Sequence, residues 1–357
     1  MNTLQKPLFV FLLTRRGCWP YALQILHHLS FPQKIFVSIY SPSLTGAQRI
    51  RTYRSGTEIV LNSIFILPFF LLKIRRQFKS SCKVAYFPVF HHWNLPLIWW
   101  CRLHGVKTIV TIHDGILHTG EDTRLDQWMQ DRCIKMADTS IFLTEFVRQT
   151  VLERFTPPGS THVIPHGILP LSSIPETRPH MDHPARLLFL GRIGKYKGLD
   201  LLLEALEQLP DDLFGHLTIA GQALYPLSIP ENKKVRRVDK RLSEEEMAML
   251  LQNHDVLVLP YLDATQSGIL TLGIQAAIPM VITKVGGLPE QLTPQEAVWV
   301  EPNADSLAQG ISLLLNDPVY YAAVYEKLLE KRKNNQWQNA GDELTGIITE
   351  LRKQAEK

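Results

Sequence analysis

The sequence predicts an α/β protein in which two Rossmann-like domains, each built on a parallel sheet, face each other across a cleft. Short apolar runs alternate along the chain with segments whose apolar residues recur at helical spacing. Such alternation is typical of a parallel sheet with helices on both faces. A proline-rich stretch over residues 167–184 predicts a linker near the middle of the chain. The length of 357 residues fits two domains of about 100–200 residues each.

The second half of the chain shows the alternation most clearly. Apolar runs predict strands over residues 186–190, 216–220, 255–259 and 280–283. Helical spacing predicts helices over residues 199–209, 244–253, 268–277, 304–315 and 318–331. Ser243 and Glu246 form a capping-box pattern, which places the start of the second of these helices at residue 244.

The first half repeats the pattern. Strands are predicted over residues 8–14, 34–40, 84–88, 108–112 and 139–143, and helices over residues 21–29 and 58–78, with an interruption at Pro68. We therefore predict an N-terminal domain over residues 1–175 and a C-terminal domain over residues 176–340. A final helix over residues 341–357 is expected to pack back on the N-terminal domain.

Composition and targeting signals exclude several classes of protein. Hydrophobic residues make up 45% and charged residues 20% of the chain, which is the composition of a globular protein and not of a disordered chain or coiled coil. The longest apolar run, residues 64–72, is far shorter than the roughly 20 residues of a membrane span. The apolar run at residues 8–13 is too short for a signal peptide, so we expect a first strand and a cytoplasmic protein. Wide cysteine spacing disfavours a disulfide framework or a zinc site.

Charge is distributed unevenly between the two ends of the chain. Residues 1–113 contain 14 Lys and Arg but only Glu58 as an acidic residue, a net charge of +13, whereas the remaining 24 basic and 33 acidic residues sum to −9. A basic half suggests a polyanionic partner. No nucleic-acid motif accompanies it, so we predict docking on an anionic membrane through residues 64–79, peripherally on the inner face of the plasma membrane. The alternative is that these apolar residues form core and the charges are solvated.

Three loops that follow predicted strands in the second half could bind an anion. The first, residues 191–198, combines three glycines with Arg192, Lys195 and Lys197, and a helix follows it. Cations and a helix N-terminus together suit a diphosphate. The second, residues 260–269, can cap the next helix with Thr265 or Ser267, and the third, residues 285–290, carries a double glycine. Simple turns and caps would explain each loop taken alone.

One loop in the first half carries a cluster of titratable residues after a strand. It contains His113, Asp114, His118 and Glu121. These side chains could hold a metal, but no ligand spacing enforces that geometry. We therefore predict no metal site and place His113 at the cleft.

Together these pieces resemble the family 4 glycosyltransferases of the GT-B fold. The resemblance rests on FLGRIGKYKGLDLLLEAL, LTIAGQA, TIHDGILHTGE, VIPHGI and DVLVLPYLDATQSGILTLGIQAAIPMVITKVGGLPE. The pieces occur in family order over most of residues 84–317, and the set is specific although each piece alone is weak. The absence of any Asp-x-Asp also argues against the metal-dependent GT-A class.

The resemblance implies roles for particular residues. Arg192 and Lys197 match the basic pair that holds the donor diphosphate, and the backbone N–H groups of Gly268 and Ile269 match a second phosphate contact. His113 matches a histidine near the transferred sugar. The remaining residues expected to contact substrate are Asp114, His118, Glu121, Gln266, Ser267 and Gly287.

The sequence departs from the family pattern in the second loop. Relatives usually carry two glutamates eight positions apart, where this chain has Ala264 and Leu272. The A-T-Q-S-G form resembles a known variant of the loop. Gln266 and Ser267 are then expected to make the polar contacts to the sugar.

The resemblance implies a retaining, metal-independent glycosyltransferase acting in cell-surface polysaccharide or glycolipid synthesis. Its donor would be a UDP- or GDP-linked sugar, used as a co-substrate with no other cofactor, and its acceptor a saccharide or lipid-linked saccharide. One alternative is a non-catalytic GT-B subunit that binds a nucleotide or a partner enzyme. A nucleotide-sugar epimerase is a further alternative. Such an enzyme needs catalytic carboxylates, and the candidates Asp114, Glu121 and Glu290 lack a pattern that supports this role.

Overall fold

The computed structural model describes residues 6–14, 18–80, 83–117, 124–173, 184–227, 229 and 234–356. The chain divides into two compact units, Met1–His166 with Gln336–Lys357, and Gly167–Asn335. The division thus falls after residue 166, where the sequence predicted residue 175. The C-terminal return to the first unit starts at Gln336, where the sequence predicted residue 341.

The described residues of the N-terminal unit form a sheet of seven parallel strands. They are β1 (Leu8–Leu12), β2 (Gln33–Ser38), β3 (Gln48–Ile50), β4 (Val84–Phe87), β5 (Lys107–Ile112), β6 (Thr139–Phe142) and β7 (Ser160–Val163). Their order in the sheet is β3-β2-β1-β4-β5-β6-β7. All five predicted strands are present. The two that were missed, β3 and β7, form the sheet edges, where strands are short and less apolar.

Helices flank this sheet. They are α1 (Trp19–His27), α2 (Gly56–Phe65), α3 (Leu67–Ser80), α4 (Asn94–Leu103), α5 (Arg124–Met136) and α6 (Glu145–Leu152). The predicted helix over residues 58–78 is two helices bent by 50°. The break lies at Ile66 and not at Pro68, because Pro68 occupies the first turn of α3, where the missing N–H has no helical partner in any case.

Aromatic side chains fill the core of the N-terminal unit beside its central strand. The Phe11 ring on β1 stacks between those of Phe36 on β2 and Phe87 on β4, at centroid distances of 5.1 and 5.0 Å. Stacked rings of this kind fix the register of the three strands relative to one another. The loops that follow these strands are thereby held at one edge of the sheet.

In the C-terminal unit, the part of the chain that the structure describes forms a sheet of six parallel strands. They are β8 (Ala185–Leu190), β9 (Phe214–Ala220), β10 (Val235–Val238), β11 (Val256–Leu259), β12 (Met280–Thr283) and β13 (Val298–Val300), in the order β10-β9-β8-β11-β12-β13. Its helices are α7 (Leu199–Glu207), α8 (Glu244–Gln252), α9 (Gly268–Gln275), α10 (Ala304–Asn316) and α11 (Pro318–Lys333). The predicted capping box of Ser243 and Glu246 at the start of α8 is confirmed.

The last helix, α12 (Trp337–Gln354), belongs to the N-terminal unit and packs on α1 and β4. Trp337 is buried there, and its ring lies 5.7 Å from that of Tyr21. The Arg352 guanidinium donates a 2.7 Å hydrogen bond to the Lys6 carbonyl oxygen. These contacts join the two ends of the chain within one unit.

Candidate functional site

The 191–198 loop follows β8, and its backbone lies in direct contact with the backbones of neighbouring loops. A β-carbon on Gly198 would lie 1.9 Å from the Pro260 carbonyl oxygen, and one on Gly221 would lie 1.9 Å from the Gly191 carbonyl oxygen. Both glycines also have positive φ, +68° and +144°, which side chains rarely tolerate. The loops that follow β8, β9 and β11 therefore meet closely at one edge of the C-terminal sheet.

Tyr261 joins the first of these loops to the helix N-terminus in the second. The Lys197 ammonium lies 3.6 Å from the centroid of the Tyr261 ring. The hydroxyl of the same tyrosine lies 3.2 Å from Ser267 Oγ. Burial raises the pKa of the Tyr261 phenol, so the hydroxyl stays neutral. One buried side chain thus contacts a cation with its ring and the start of α9 with its hydroxyl.

The N-terminus of α9 offers backbone donors beside this tyrosine. Ser267 is its N-cap, and its hydroxyl accepts a hydrogen bond from the Leu270 N–H at 3.2 Å. Gly268 and Ile269 occupy the first two helical positions, whose N–H groups have no partner within a helix. A β-carbon on Gly191 would lie 3.1 Å from the Ile269 side chain. The two predicted phosphate-binding segments are therefore adjacent, a geometry that suits a diphosphate.

Arg192 lies in the same loop as Lys197, with its side chain exposed. Lys195 is also exposed, and its ammonium lies 5.9 Å from the centroid of the Tyr225 ring. The loop thus carries three cations, of which Lys197 is the one placed over Tyr261.

The positions of the usual family glutamates are apolar and buried in the C-terminal core. Ala264 is 2% and Leu272 7% exposed. Next to Ala264, the side-chain oxygen of Gln266 is buried and has no hydrogen-bond partner among the described residues. The third loop approaches here too, because the Gly287 N–H donates a 3.0 Å hydrogen bond to the Ala264 carbonyl.

Gln291 belongs to this site, although the sequence did not single it out. Its side-chain oxygen accepts a 2.8 Å hydrogen bond from the Ser267 N–H, and its amide nitrogen is buried with no partner in the part of the chain that the structure describes. This contact joins residues 24 positions apart. Its only sequence signal is that Gln291 directly follows the double-glycine loop.

In the N-terminal unit, His113 is buried immediately after β5. Its Nε2 atom lies 2.9 Å from the Pro88 carbonyl, which fixes the proton on that nitrogen in the neutral ring. Nδ1 makes no hydrogen bond of standard geometry to any described residue. The Tyr21 ring meets the imidazole edge-on at 4.8 Å. Nδ1 is therefore the ring nitrogen left to a substrate, and when the ring is protonated it donates a hydrogen bond to a substrate oxygen.

The charge state of His113 depends on its neighbours. Burial alone disfavours the imidazolium, but the adjacent Cys18 sulfur, the Pro88 carbonyl and the Asp114 charge together raise the pKa of His113 to about 9. Burial also raises the pKa of Tyr21 to about 12, so the tyrosine beside it stays neutral. His113 is therefore the group of this cluster that carries charge near neutral pH.

Of the other predicted residues of this loop, the structure describes only Asp114. Asp114 follows His113, and its backbone carbonyl accepts a 2.7 Å hydrogen bond from the Gln130 side chain. His118 and Glu121 lie outside the described residues. Within the described ranges, no group of three or more His, Cys, Asp or Glu side chains is arranged to hold a metal ion.

A hydrogen-bonded chain of three side chains occupies the same sheet edge and was not predicted. Asp126 accepts from His92 Nε2 at 2.6 Å, and the Tyr53 hydroxyl lies 2.6 Å from His92 Nδ1. Tyr53 and His92 lie in the segments after β3 and β4, and Asp126 lies in the first turn of α5, so these hydrogen bonds join three segments that follow β3, β4 and β5. Consecutive histidines after a strand were its only sequence signal, because the partners lie 39 and 34 positions away.

Two family models match the chain and decide its classification. The model described as Glycosyltransferase Family 4 matches residues 17–170, and the model described as Glycosyl transferases group 1 matches residues 184–317. The chain belongs to the family 4 glycosyltransferases. Among curated relatives, this glycosyltransferase is 23% identical over 285 residues to the D-inositol 3-phosphate glycosyltransferase of Corynebacterium diphtheriae, covering 71% of this chain and 65% of the relative. The chain spans between 37% and 67% of the length of the curated relatives it matches.

Solved structures show the same fold over almost the whole chain. A sucrose-phosphate synthase from Thermosynechococcus elongatus matches with a TM-score of 0.74 at 17% identity, covering 97% of this chain and 99% of that one. HepE of Anabaena in complex with UDP matches with a TM-score of 0.74 at 12% identity, covering 97% and 100%. The likeness confirms the predicted GT-B fold of this family 4 glycosyltransferase.

The close approach at Gly198 predicts a specific effect of Gly198→Ala. We expect it to destabilise the C-terminal unit and weaken nucleotide binding, because the new methyl group must displace the Pro260 carbonyl. Gly105→Ala is the matched control, since Gly105 has φ of +67° but nothing within 4 Å of a β-carbon. Both changes cost about 1 kcal/mol of backbone strain, and the clash adds about 1–3 kcal/mol for Gly198 alone. Chemical denaturation measures the difference, and equal effects would contradict the packing described.

The environment of His113 predicts the effect of Cys18→Ser on its titration. Removing the sulfur removes a neighbour that raises the pKa of His113, so this pKa should fall from about 9 toward its ordinary 6.5. NMR titration of the imidazole resonances measures this. Cys133→Ser, a change at a different cysteine, which is buried, serves as the control and should leave the titration unchanged. An unchanged pKa in Cys18→Ser would exclude the sulfur as the cause.

Proposed function

We propose that this protein transfers a sugar from a nucleotide-diphosphate-sugar donor to a saccharide or lipid-linked saccharide acceptor. The observation that carries the proposal is the meeting of Lys197 and the α9 N-terminus at Tyr261. Both features favour negative charge, and they lie on adjacent loops at the edge of a parallel sheet where ligands bind. The family to which the chain belongs supports the same reaction class.

The chemistry follows from where charge develops during transfer. As the glycosidic bond to the diphosphate breaks, negative charge accumulates on the phosphate oxygens. Lys197, Arg192 and the N–H groups at the start of α9 stabilise that charge because they are positioned before the reaction begins. We propose that the reaction needs no metal ion and retains the anomeric configuration, as the family resemblance implies. His113 contributes to transfer and not to the binding of the nucleotide.

A UDP- or GDP-linked sugar is the proposed donor. HepE of Anabaena, which has the same fold, has been solved in complex with UDP and with UDP-glucose. At the positions of the family glutamates this chain has buried apolar residues, so the sugar contacts pass to neighbouring polar groups. The Gln266 oxygen can accept and the Gln291 amide nitrogen can donate a hydrogen bond to a sugar hydroxyl.

The acceptor is proposed from the charge of the N-terminal part of the chain. Residues 1–113 carry a net charge of +13, which suits an acceptor held at an anionic membrane. We propose a cytoplasmic protein that acts at the inner face of the plasma membrane, in polysaccharide or glycolipid synthesis. No role in nucleic-acid binding is proposed.

Sugar transfer itself is the test of this proposal. Purified protein is incubated with UDP- or GDP-linked sugars and lipid-linked or free saccharide acceptors, and nucleotide release and product are followed by NMR, which also reports the anomeric configuration. Lys197→Ala and Arg192→Ala should each lower kcat/KM by about 100-fold or more, the effect of removing a group that stabilises transition-state charge. Lys195→Ala, in the same loop, should retain activity within about threefold, because a solvated surface charge contributes little.

The rival function is a non-catalytic subunit of the same fold. The apolar residues at Ala264 and Leu272 favour it, because the usual glutamates are missing. This rival function predicts that the protein transfers sugar from no donor. It also predicts that the activity of a partner enzyme depends on this chain. An equal loss of activity in Lys195→Ala and Lys197→Ala would instead show that the loop acts only through its net charge.

A further inference from the structure

Helices α2 and α3 both expose large apolar side chains, which we call the exposed stripe. Of the eighteen large hydrophobic residues exposed in the described part of the chain, six fall within thirteen positions: Val60, Leu61, Ile64, Phe65, Phe69 and Leu72. Phe69 is 74% and Phe65 63% exposed. Within α2 and within α3, their spacing of three and four residues places them along one side of each helix. Single exposed apolar residues are ordinary, but a contiguous set marks an interaction surface.

The opposite side of α3 is part of the protein core. Leu67, Phe70, Ile74 and Phe78 are all buried in the apolar cluster of the N-terminal unit. The exposed stripe is therefore not needed to form the protein core, because α3 already packs another apolar face against the sheet. Within the described residues no single helix is long and apolar enough to cross a membrane, although α2 and α3 taken together pass on length and composition.

Basic residues continue the stripe at its C-terminal end. Lys73, Arg75 and Arg76 are exposed directly after Leu72. Glu58 is the only acidic residue among the first 113. A partner that covers this surface must therefore offer an apolar region bordered by negative charge. The interface of a bilayer containing anionic phospholipid has that combination, with acyl chains below a layer of negatively charged headgroups.

We infer that the exposed stripe of α2 and α3 is a membrane-docking surface, which inserts Phe65 and Phe69 into the interface of an anionic bilayer while Lys73 and Arg75 contact its headgroups. The buried face of α3 keeps the helix on the protein, so docking is peripheral. Docking would bring the protein to the membrane that holds the proposed lipid-linked acceptor. Only this biological role of docking rests on the proposed function. Docking itself requires neither a nucleotide nor sugar transfer.

Vesicle flotation of the full chain tests the inference. The vesicles contain either phosphatidylcholine alone or phosphatidylcholine with about one third phosphatidylglycerol, and no nucleotide is present. Wild type should bind the anionic vesicles and release as salt is raised. The double variant Phe65→Ser, Phe69→Ser should bind at least tenfold more weakly. The pair Lys73→Gln, Arg75→Gln should bind the anionic vesicles about 30-fold more weakly and the neutral vesicles as wild type does.

The control is a double variant in the C-terminal unit, Leu313→Ser with Val319→Ser. Leu313 and Val319 are 50% and 81% exposed, so the control removes the same kind of surface elsewhere. It should bind vesicles as wild type does, and all variants should keep the wild-type melting temperature.

Three results would overturn the inference. The first is wild type that fails to float with anionic vesicles, and the second is equal binding by the aromatic double variant. The third is a lipid-free dimer that the same variant abolishes, which would assign the stripe to a second copy of the chain. Each leaves the transfer reaction standing, because transfer is measured with a free saccharide acceptor. Conversely, Lys197→Ala should lose sugar transfer and still bind vesicles as wild type does.

Discussion

The 191–198 loop can hold Lys197 over Tyr261 only because glycines let its backbone touch the backbones that follow β9 and β11. At Gly198 and Gly221, any β-carbon would fall 1.9 Å from a carbonyl oxygen. The Leu262 N–H donates a 2.8 Å hydrogen bond to the Tyr196 carbonyl and secures the same contact. The position of the cation is thus set by main-chain packing, which costs no further ordering when a ligand arrives.

That constraint explains why one tyrosine can organise two anion-binding features. Tyr261 is buried, so its ring presents a fixed face to the Lys197 ammonium and its hydroxyl a fixed partner to Ser267. Gln291 pairs with the Ser267 N–H and Ser267 Oγ pairs with the Leu270 N–H, so the N–H groups of Gly268 and Ile269 are the ones left to a ligand. Carboxamides near the substituted glutamate positions then supply neutral polar contacts in place of charged ones.

Much of the fold was predictable because buried parallel strands appear in the sequence as short apolar runs. The strands that escaped prediction are those at sheet edges, such as β10, whose sequence Val-Arg-Arg-Val has two exposed arginines. The break between α2 and α3 was placed two residues late, because proline suggests an interruption where it stands although it is tolerated in a first helical turn. The exposure of Phe69 beside the burial of Phe70 depends on tertiary packing that composition does not contain.

The candidate site was predictable only in part, for a similar reason. Glycines, cations and a helix cap leave local signals, so the 191–198 loop and Ser267 could be found in the sequence. The contacts of Gln291 with Ser267 and of His92 with Tyr53 and Asp126 join distant positions. Such contacts depend on how strands are ordered in the sheet, and that order follows from the three-dimensional packing.

Nucleotide binding tests the central claim most directly. Thermal unfolding is followed with UDP, GDP and ADP, each at about 100 times the dissociation constant, where binding adds about 2.7 kcal/mol of stability and raises the melting temperature by a few degrees. The account predicts that UDP or GDP raises the melting temperature of wild type and Lys195→Ala, and that the rise is lost in Lys197→Ala. No rise with any nucleotide, or an equal rise in Lys197→Ala, would contradict it.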